Sequence, residues 1–155
     1  MLHWGMGTKD ASDISAFVNL LGGCHGGPDR RYKVVEVKTQ LPTPNHPIVR
    51  GVKPVQIKDE FYYTLKFAQP VEKIIPILNV PIEGRDHTVA WAWNRPDGGR
   101  SFGFSGLHFH ENWQDENYRR MVAQAIVWTL KRPIPEEGLD VALDAEFFVV
   151  PKREK

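Results

Sequence analysis

Residues 91–110 read Trp91-Ala92-Trp93-Asn94-Arg95-Pro96-Asp97-Gly98-Gly99-Arg100-Ser101-Phe102-Gly103-Phe104-Ser105-Gly106-Leu107-His108-Phe109-His110. Two runs of strand character meet there across a turn. The first starts at Thr88-Val89-Ala90 and is rich in β-branched and aromatic residues; the second, Ser101 to Ser105, sets Phe102 and Phe104 on one face. Between them Pro96 fixes φ and the paired glycines tolerate positive φ, so the stretch predicts a β-hairpin over residues 88–105. The second strand then delivers two histidines at its carboxyl end, where open α/β sheets bind ligands. At this point His108 and His110 either organise a loop through hydrogen bonds or serve a site.

Downstream of the hairpin, Asp115 is suited to cap a helix, and Tyr118, Val122, Ala125, Ile126 and Thr129 share one of its faces. Pro133 ends that element. Residues 133–155 read as an extension holding Pro-Glu-Glu-Gly, an apolar patch at 147–150 and a charged end. Upstream, Ile74 to Leu78 predicts a buried strand that Pro76 places at an edge or bulge. Val55 and Ile57 begin an extended segment that runs into Asp59-Glu60-Phe61-Tyr62-Tyr63, and Tyr32 to Lys38 predicts an edge strand with Val35 and Val37 on one face. Gly22 to Pro28 reads as a loop. Before it, Asp10 or Ser12 caps a helix carrying Ile14, Phe17, Val18 and Leu21, which Gly22-Gly23 stop. Met1 to Gly7 leaves almost no room for the strand that normally precedes such a helix in an α/β unit, so residues 1–132 read as the C-terminal portion of a larger domain.

The 155 residues, 41% hydrophobic and 25% charged, fit a single soluble globular domain. Nowhere do the roughly 18 consecutive apolar residues of a membrane-spanning helix occur. The N-terminus lacks the basic and apolar regions of a signal peptide, which predicts a cytoplasmic protein if the chain is complete. A net charge of +1 with interspersed signs offers no basic stripe for nucleic acid. The single cysteine, Cys24, excludes an internal disulfide framework and a multi-cysteine zinc site. An incomplete sheet edge near the N-terminus favours a homodimer.

His3, His25, His108 and His110 lie in glycine-flanked loops, where backbone approaches a ligand closely; each is a candidate acid, base or metal ligand, or a structural histidine. His46 and His87 are weaker candidates. If their segment is extended, Asp59 and Glu60 point to opposite faces, so one carboxylate faces a cleft while the other caps or pairs. A carboxylate near two histidines forms either a divalent-metal site or an acid/base pair, although no fixed metal signature is present. No Gly-x-Ser-x-Gly elbow occurs, and Cys24 and His25 are sequence neighbours that seldom face one another. Trp4 and Trp113 each lie beside a candidate histidine, where an indole face suits the apolar face of a sugar ring.

Taken together, these segments resemble the ThuA-like family, named for trehalose utilisation. The carrying pieces are Leu2-His3 opening a helix, the Gly22-Gly23 loop, His46-Pro47-Ile48 with Gly51, Asp59-Glu60-Phe61-Tyr62-Tyr63, Val89-Ala90-Trp91, Gly99-Arg100, Gly106-Leu107-His108 with Trp113, and the Ala125-Ile126-Val127-Trp128 helix. The resemblance implies an α/β, flavodoxin-like three-layer sandwich akin to class I glutamine amidotransferases. By that layout His3 stands at the turn where a glutaminase places its cysteine nucleophile, so glutaminase activity is not expected. His108 lies near the strand end that supplies the amidotransferase histidine; the family usually reads Leu-Gly-His, whereas here Gly106 and Leu107 are exchanged and His110 is added, which leaves that position open between His108 and His110. The resemblance implies a carbohydrate-active hydrolase or isomerase using His3, His108 and Glu60 as acid/base groups or divalent-metal ligands. Trp4, Asp59, Trp113, His110 and His25 are its expected substrate-binding residues. The alternatives are a non-catalytic sugar-binding or interaction module and a structural accessory domain.

Overall fold

The computed structural model describes residues 1–144 and Phe147. In chain order it comprises a 3₁₀ turn (His3–Met6), β1 (Gly7–Thr8), a 3₁₀ turn (Ala11–Asp13), α1 (Ile14–Leu21), β2 (Gly23–Gly26) and β3 (Arg31–Lys38). A 3₁₀ turn (Pro47–Val49), β4 (Gln56–Tyr63), β5 (Lys66–Phe67), a 3₁₀ turn (Val71–Lys73) and β6 (Ile74–Ile82) follow. The chain continues through β7 (Arg85–Asn94), β8 (Arg100–Phe104), a 3₁₀ turn (His110–Gln114) and α2 (Glu116–Thr129).

The hairpin forms as β7 and β8, in antiparallel register with Ala92 opposite Phe102 and Ala90 opposite Phe104. Strand alternation divides β7 between two cores. Ala90 and Ala92, with Phe102 and Phe104, join a cluster that includes Tyr118, Val122 and Ala125 of α2. Trp91 and Trp93 enter a second cluster with Met6 and Tyr62, backed by Val18 of α1. The indole of Trp91 is fully buried and donates to the carbonyl of Leu21 at 2.9 Å. Burying about 250 Å² of aromatic surface stabilises the fold by roughly 6 kcal/mol in transfer free energy. The result is a mixed α/β chain whose central hairpin carries a helix on each face.

The outer strands follow their side chains. β6 pairs antiparallel with β7, and its register breaks between Pro76 and Leu78, because proline has no N–H for the ladder. β3 and β4 form a separate antiparallel pair in which Tyr32 faces Tyr62 and Val34 faces Glu60. Asp10 caps the 3₁₀ turn before α1 by accepting the Ser12 N–H, and Gly22 stops the helix at φ +77°. Asp115 caps α2 by accepting the Tyr118 N–H at 3.0 Å.

The expected loop from Gly22 to Pro28 requires correction. Gly23–Gly26 is a buried strand, β2, paired parallel with β1 and antiparallel with β5. A Cβ on Gly23 would lie 2.6 Å from the Trp91 ring, so this glycine makes room for an indole rather than marking a loop.

The segment after α2 is bound into the domain. Ile134 is buried in the main core, and Gln124 accepts the Leu139 N–H at 2.8 Å while donating to the carbonyls of Ile48 and Arg50. Of the apolar patch, Phe147 is exposed and residues 148–150 lie outside the described residues. Among the described residues no helix is long and apolar enough to cross a membrane.

Candidate active site

His3 stands at a sharp turn. Leu2 is extended and bridges parallel to Phe104, whereas His3 takes φ +39°, an uncommon conformation for a residue with a Cβ, and opens the first 3₁₀ turn. Its ring is buried, with Nδ1 at 2.7 Å from the Ser105 carbonyl. A carbonyl only accepts, so Nδ1 carries the proton and Nε2 presents a lone pair. Burial is the main cause that holds the His3 pKa below its ordinary value, followed by the opposing Ser105 hydrogen bond. The neutral ring with a free Nε2 lone pair is therefore the favoured form.

Three groups converge on that nitrogen. The Tyr62 hydroxyl lies at 3.0 Å, His108 Nδ1 at 3.0 Å and Glu60 Oε1 at 3.6 Å. Glu60 Oε1 and His108 Nδ1 are themselves 3.3 Å apart. Burial, then the Glu60 and Tyr32 charges, push the Tyr62 pKa up to about 12, which keeps the phenol protonated and donating to His3. Tyr62 is also held by stacking: its ring lies 4.5 Å from His3 and 4.2 Å from His25. His25 Nε2–H donates to the Arg31 carbonyl at 3.1 Å, and burial lowers its pKa as well.

His108 is positioned by its backbone. Asp59 is completely buried, and its carboxylate accepts the N–H groups of Leu107 (2.6 Å), His108 (3.0 Å) and Glu60 (2.9 Å). Leu107 takes φ +70°, and a Cβ on Gly106 would lie 2.6 Å from Phe104 and 2.9 Å from Asp59 Oδ2. A bent loop drawn tightly over a carboxylate thus aims His108 at His3.

Above these groups opens a pocket of about 500 Å³, whose lining includes Trp4, Lys9, His25, Arg30, Tyr32, Glu60, Tyr62 and His108. Trp4 is 80% exposed and Tyr32 65% exposed, unusually high for large aromatics and suited to stacking on a ligand. A second hollow of about 480 Å³, between α1, β8 and α2, is lined by residues such as Leu20, Phe102 and Ile126 and contains none of the converging groups.

His3, His108, Glu60, Trp4 and His25 of the sequence-derived set are therefore brought together. Asp59 is not at the pocket surface: the alternation that sends Glu60 into it buries Asp59 under the His108 loop. His110 is exposed at the start of the next turn, and Trp113 packs against the main core, so neither lines the pocket. Of the two histidines in the loop, His108 is the one that meets His3. Sequence reasoning missed Tyr62, Tyr32, Lys9 and Arg30. The two-residue period from Glu60 carried the signal for Tyr62, and the register of β3 on β4 that for Tyr32.

The ligand atoms of His3, Glu60 and His108 lie within 4.8 Å of one another. Their separations of 3.0, 3.3 and 3.6 Å bracket the edge of about 3.4 Å expected for nitrogen and oxygen ligands arranged tetrahedrally around a zinc-sized cation. Two imidazoles and a carboxylate are also a donor set that such cations accept, and the Ser105 carbonyl fixes His3 in the ligating tautomer.

A sequence profile of the ThuA family, described as trehalose utilisation, matches residues 1–129. The chain belongs to the ThuA family. Among solved structures, a ThuA-like protein from Bacteroides uniformis superposes with a TM-score of 0.63 at 14% identity, covering 83% of this chain. This ThuA-family chain spans 56% of that structure's length. No curated protein matches it. Within the ThuA-matched span lie all the converging groups, from His3 to His108.

Proposed function

We propose that this ThuA-family chain is a carbohydrate-active protein whose His3, His108 and Glu60 hold a divalent cation and perform acid–base chemistry on a sugar. The observation that carries the reading is the convergence of His3 Nε2, His108 Nδ1 and Glu60 Oε1 beneath an aromatic-walled pocket. The family's link to trehalose utilisation and the exposed faces of Trp4 and Tyr32 support a sugar as ligand. The bridge between Leu2 and β8, followed by a strained histidine and a helical turn, supports a flavodoxin-like layered arrangement around the site.

A bound divalent cation supplies Lewis acidity to a sugar or water oxygen. The protein's own groups do the rest. Glu60, only 13% exposed at its side chain, accepts a proton from a hydroxyl entering the pocket. Tyr62 keeps a proton at Oη ready for donation, and the stacked rings around it fix that oxygen's direction. Trp4 and Tyr32 orient the sugar ring and exclude water from its face. The hydrogen bond between Tyr62 and His3 favours a second reading, in which Tyr62, His3 and Glu60 act as a cation-free acid–base relay.

Elemental analysis of the purified protein, followed by assays on disaccharides and keto-sugars, tests the proposal. About one divalent cation per chain, lost in His108→Ala and Glu60→Gln, supports the site as drawn. Turnover without cation selects the relay, tight sugar binding without turnover leaves a binding module, and absence of both cation and sugar binding overturns the proposal.

A further inference from the structure

We infer that the sugar taken by this pocket carries an anionic substituent, bound by Arg30 and Lys9. The inference rests on the carbohydrate reading of the pocket and adds the charge of its ligand. Lys9 and Arg30 both line the pocket, whereas Glu60 is the one carboxylate in its lining among the described residues. Neither cation is neutralised: among the described residues no acidic side chain pairs with either. The nearby acids are engaged elsewhere, since Asp10 accepts from Ser12, Asp13 from the Thr8 hydroxyl, and Asp29 pairs with Lys66.

Arg30 is anchored rather than loose. One guanidinium nitrogen donates to the Gly27 carbonyl at 3.0 Å, and the Arg30 backbone N–H closes the same turn, leaving further donors of the planar fork without a partner among the described residues. A fork with free parallel N–H groups matches a carboxylate or a phosphate, and the ammonium of Lys9 adds a point charge. A neutral sugar needs hydrogen bonds and stacking, which Trp4, Tyr32, Thr8 and Glu60 already offer. Two unpaired cations at the same opening give it a positive potential that such a ligand leaves unanswered. A cation held by His3, His108 and Glu60 makes the balance still more positive.

The test is calorimetric titration of the purified full chain with glucose, glucuronate and glucose-6-phosphate. At low ionic strength, glucuronate or glucose-6-phosphate is expected to bind about tenfold or more tightly than glucose, an advantage that shrinks as salt is raised. A stronger glucuronate response assigns a carboxylate and a stronger glucose-6-phosphate response a phosphate. In Arg30→Gln combined with Lys9→Gln, the advantage is expected to fall to within about twofold while the affinity for glucose holds. Equal binding of all three sugars, or an anionic preference that survives the double substitution, overturns this inference and leaves the carbohydrate reading standing. Failure of every sugar to bind overturns both.

Discussion

Asp59 Oδ2 accepts the backbone N–H of Leu107 at 2.6 Å, across 48 residues of sequence. With the bond from His108 N–H to Oδ1, this makes a buried strand carboxylate the seat on which the histidine loop rests. Asp59→Asn places an amide donor against N–H groups, so the variant is expected to lose about 2–4 kcal/mol of stability. On the cation-binding reading proposed for His3, His108 and Glu60, zinc affinity is expected to fall about 10–100-fold although none of those three residues has changed. Urea denaturation and zinc competition titration read the two effects; wild-type zinc affinity would remove Asp59 from the positioning role.

Tyr62→Phe keeps the ring between His3 and His25 and deletes only the hydroxyl. Because the stack persists, stability is expected to change by about 1 kcal/mol. If Tyr62 donates its proton to the sugar as proposed, turnover is expected to drop about 100-fold with KM much less affected. Unchanged kcat would confine Tyr62 to packing.

The pH dependence of stability has a defined direction. His46 Nδ1 accepts the Ile48 N–H at 3.2 Å as a helix cap, and its ring meets Trp128 edge-on. Burial, then the Arg100 charge, lowers its pKa from 6.5 to about 4. The unfolded chain therefore takes up the proton first, so the stabilisation is complete above pH 6.5 and is lost as pH falls toward 4. His3 and His25 shift in the same direction and add to the loss. His46→Asn retains a capping oxygen but does not titrate, and its loss over this window is expected to be smaller by about 2 kcal/mol. Urea midpoints at a series of pH values measure the difference, and a variant as acid-sensitive as the parent would contradict the assignment.

Local chemistry made the hairpin, both helices, the Asp115 cap of α2 and the Asp59/Glu60 division legible in the sequence, because turn residues, caps and strand alternation act over a few positions; Asp10 caps the 3₁₀ turn ahead of α1 rather than the helix itself. Gly23 was misleading for the opposite reason. Its need for glycine comes from Trp91, 68 positions away, and Gly103 meets the same indole across the hairpin. The site was legible as a set of candidates, and the resemblance linked His3 with His108. Choosing His108 over His110 required the hydrogen bonds to Asp59, which no spacing encodes. Tyr32, Lys9 and Arg30 reach the pocket only because β3 pairs with β4 and the turns around β1 and β2 close beside them.

The segment after α2 supplies a final prediction. Gln124 is fully buried in the middle of α2, where a polar side chain is costly unless its groups are satisfied. They are: the amide nitrogen donates to the Ile48 and Arg50 carbonyls at 2.7 and 3.1 Å, and the amide oxygen accepts Leu139 N–H. One side chain thus joins the Pro47–Val49 turn, α2 and the chain beyond Pro133. Gln124→Leu preserves volume but strands two carbonyls and one N–H, which is expected to cost about 2–4 kcal/mol. Release of residues 133–144 is expected to expose the Lys131–Arg132 bond to trypsin, since the next bond, Arg132–Pro133, resists that protease. Limited proteolysis should therefore cut the variant there well before the parent, and equal cleavage rates would show that Ile134 and the Arg50 contacts hold the segment without Gln124.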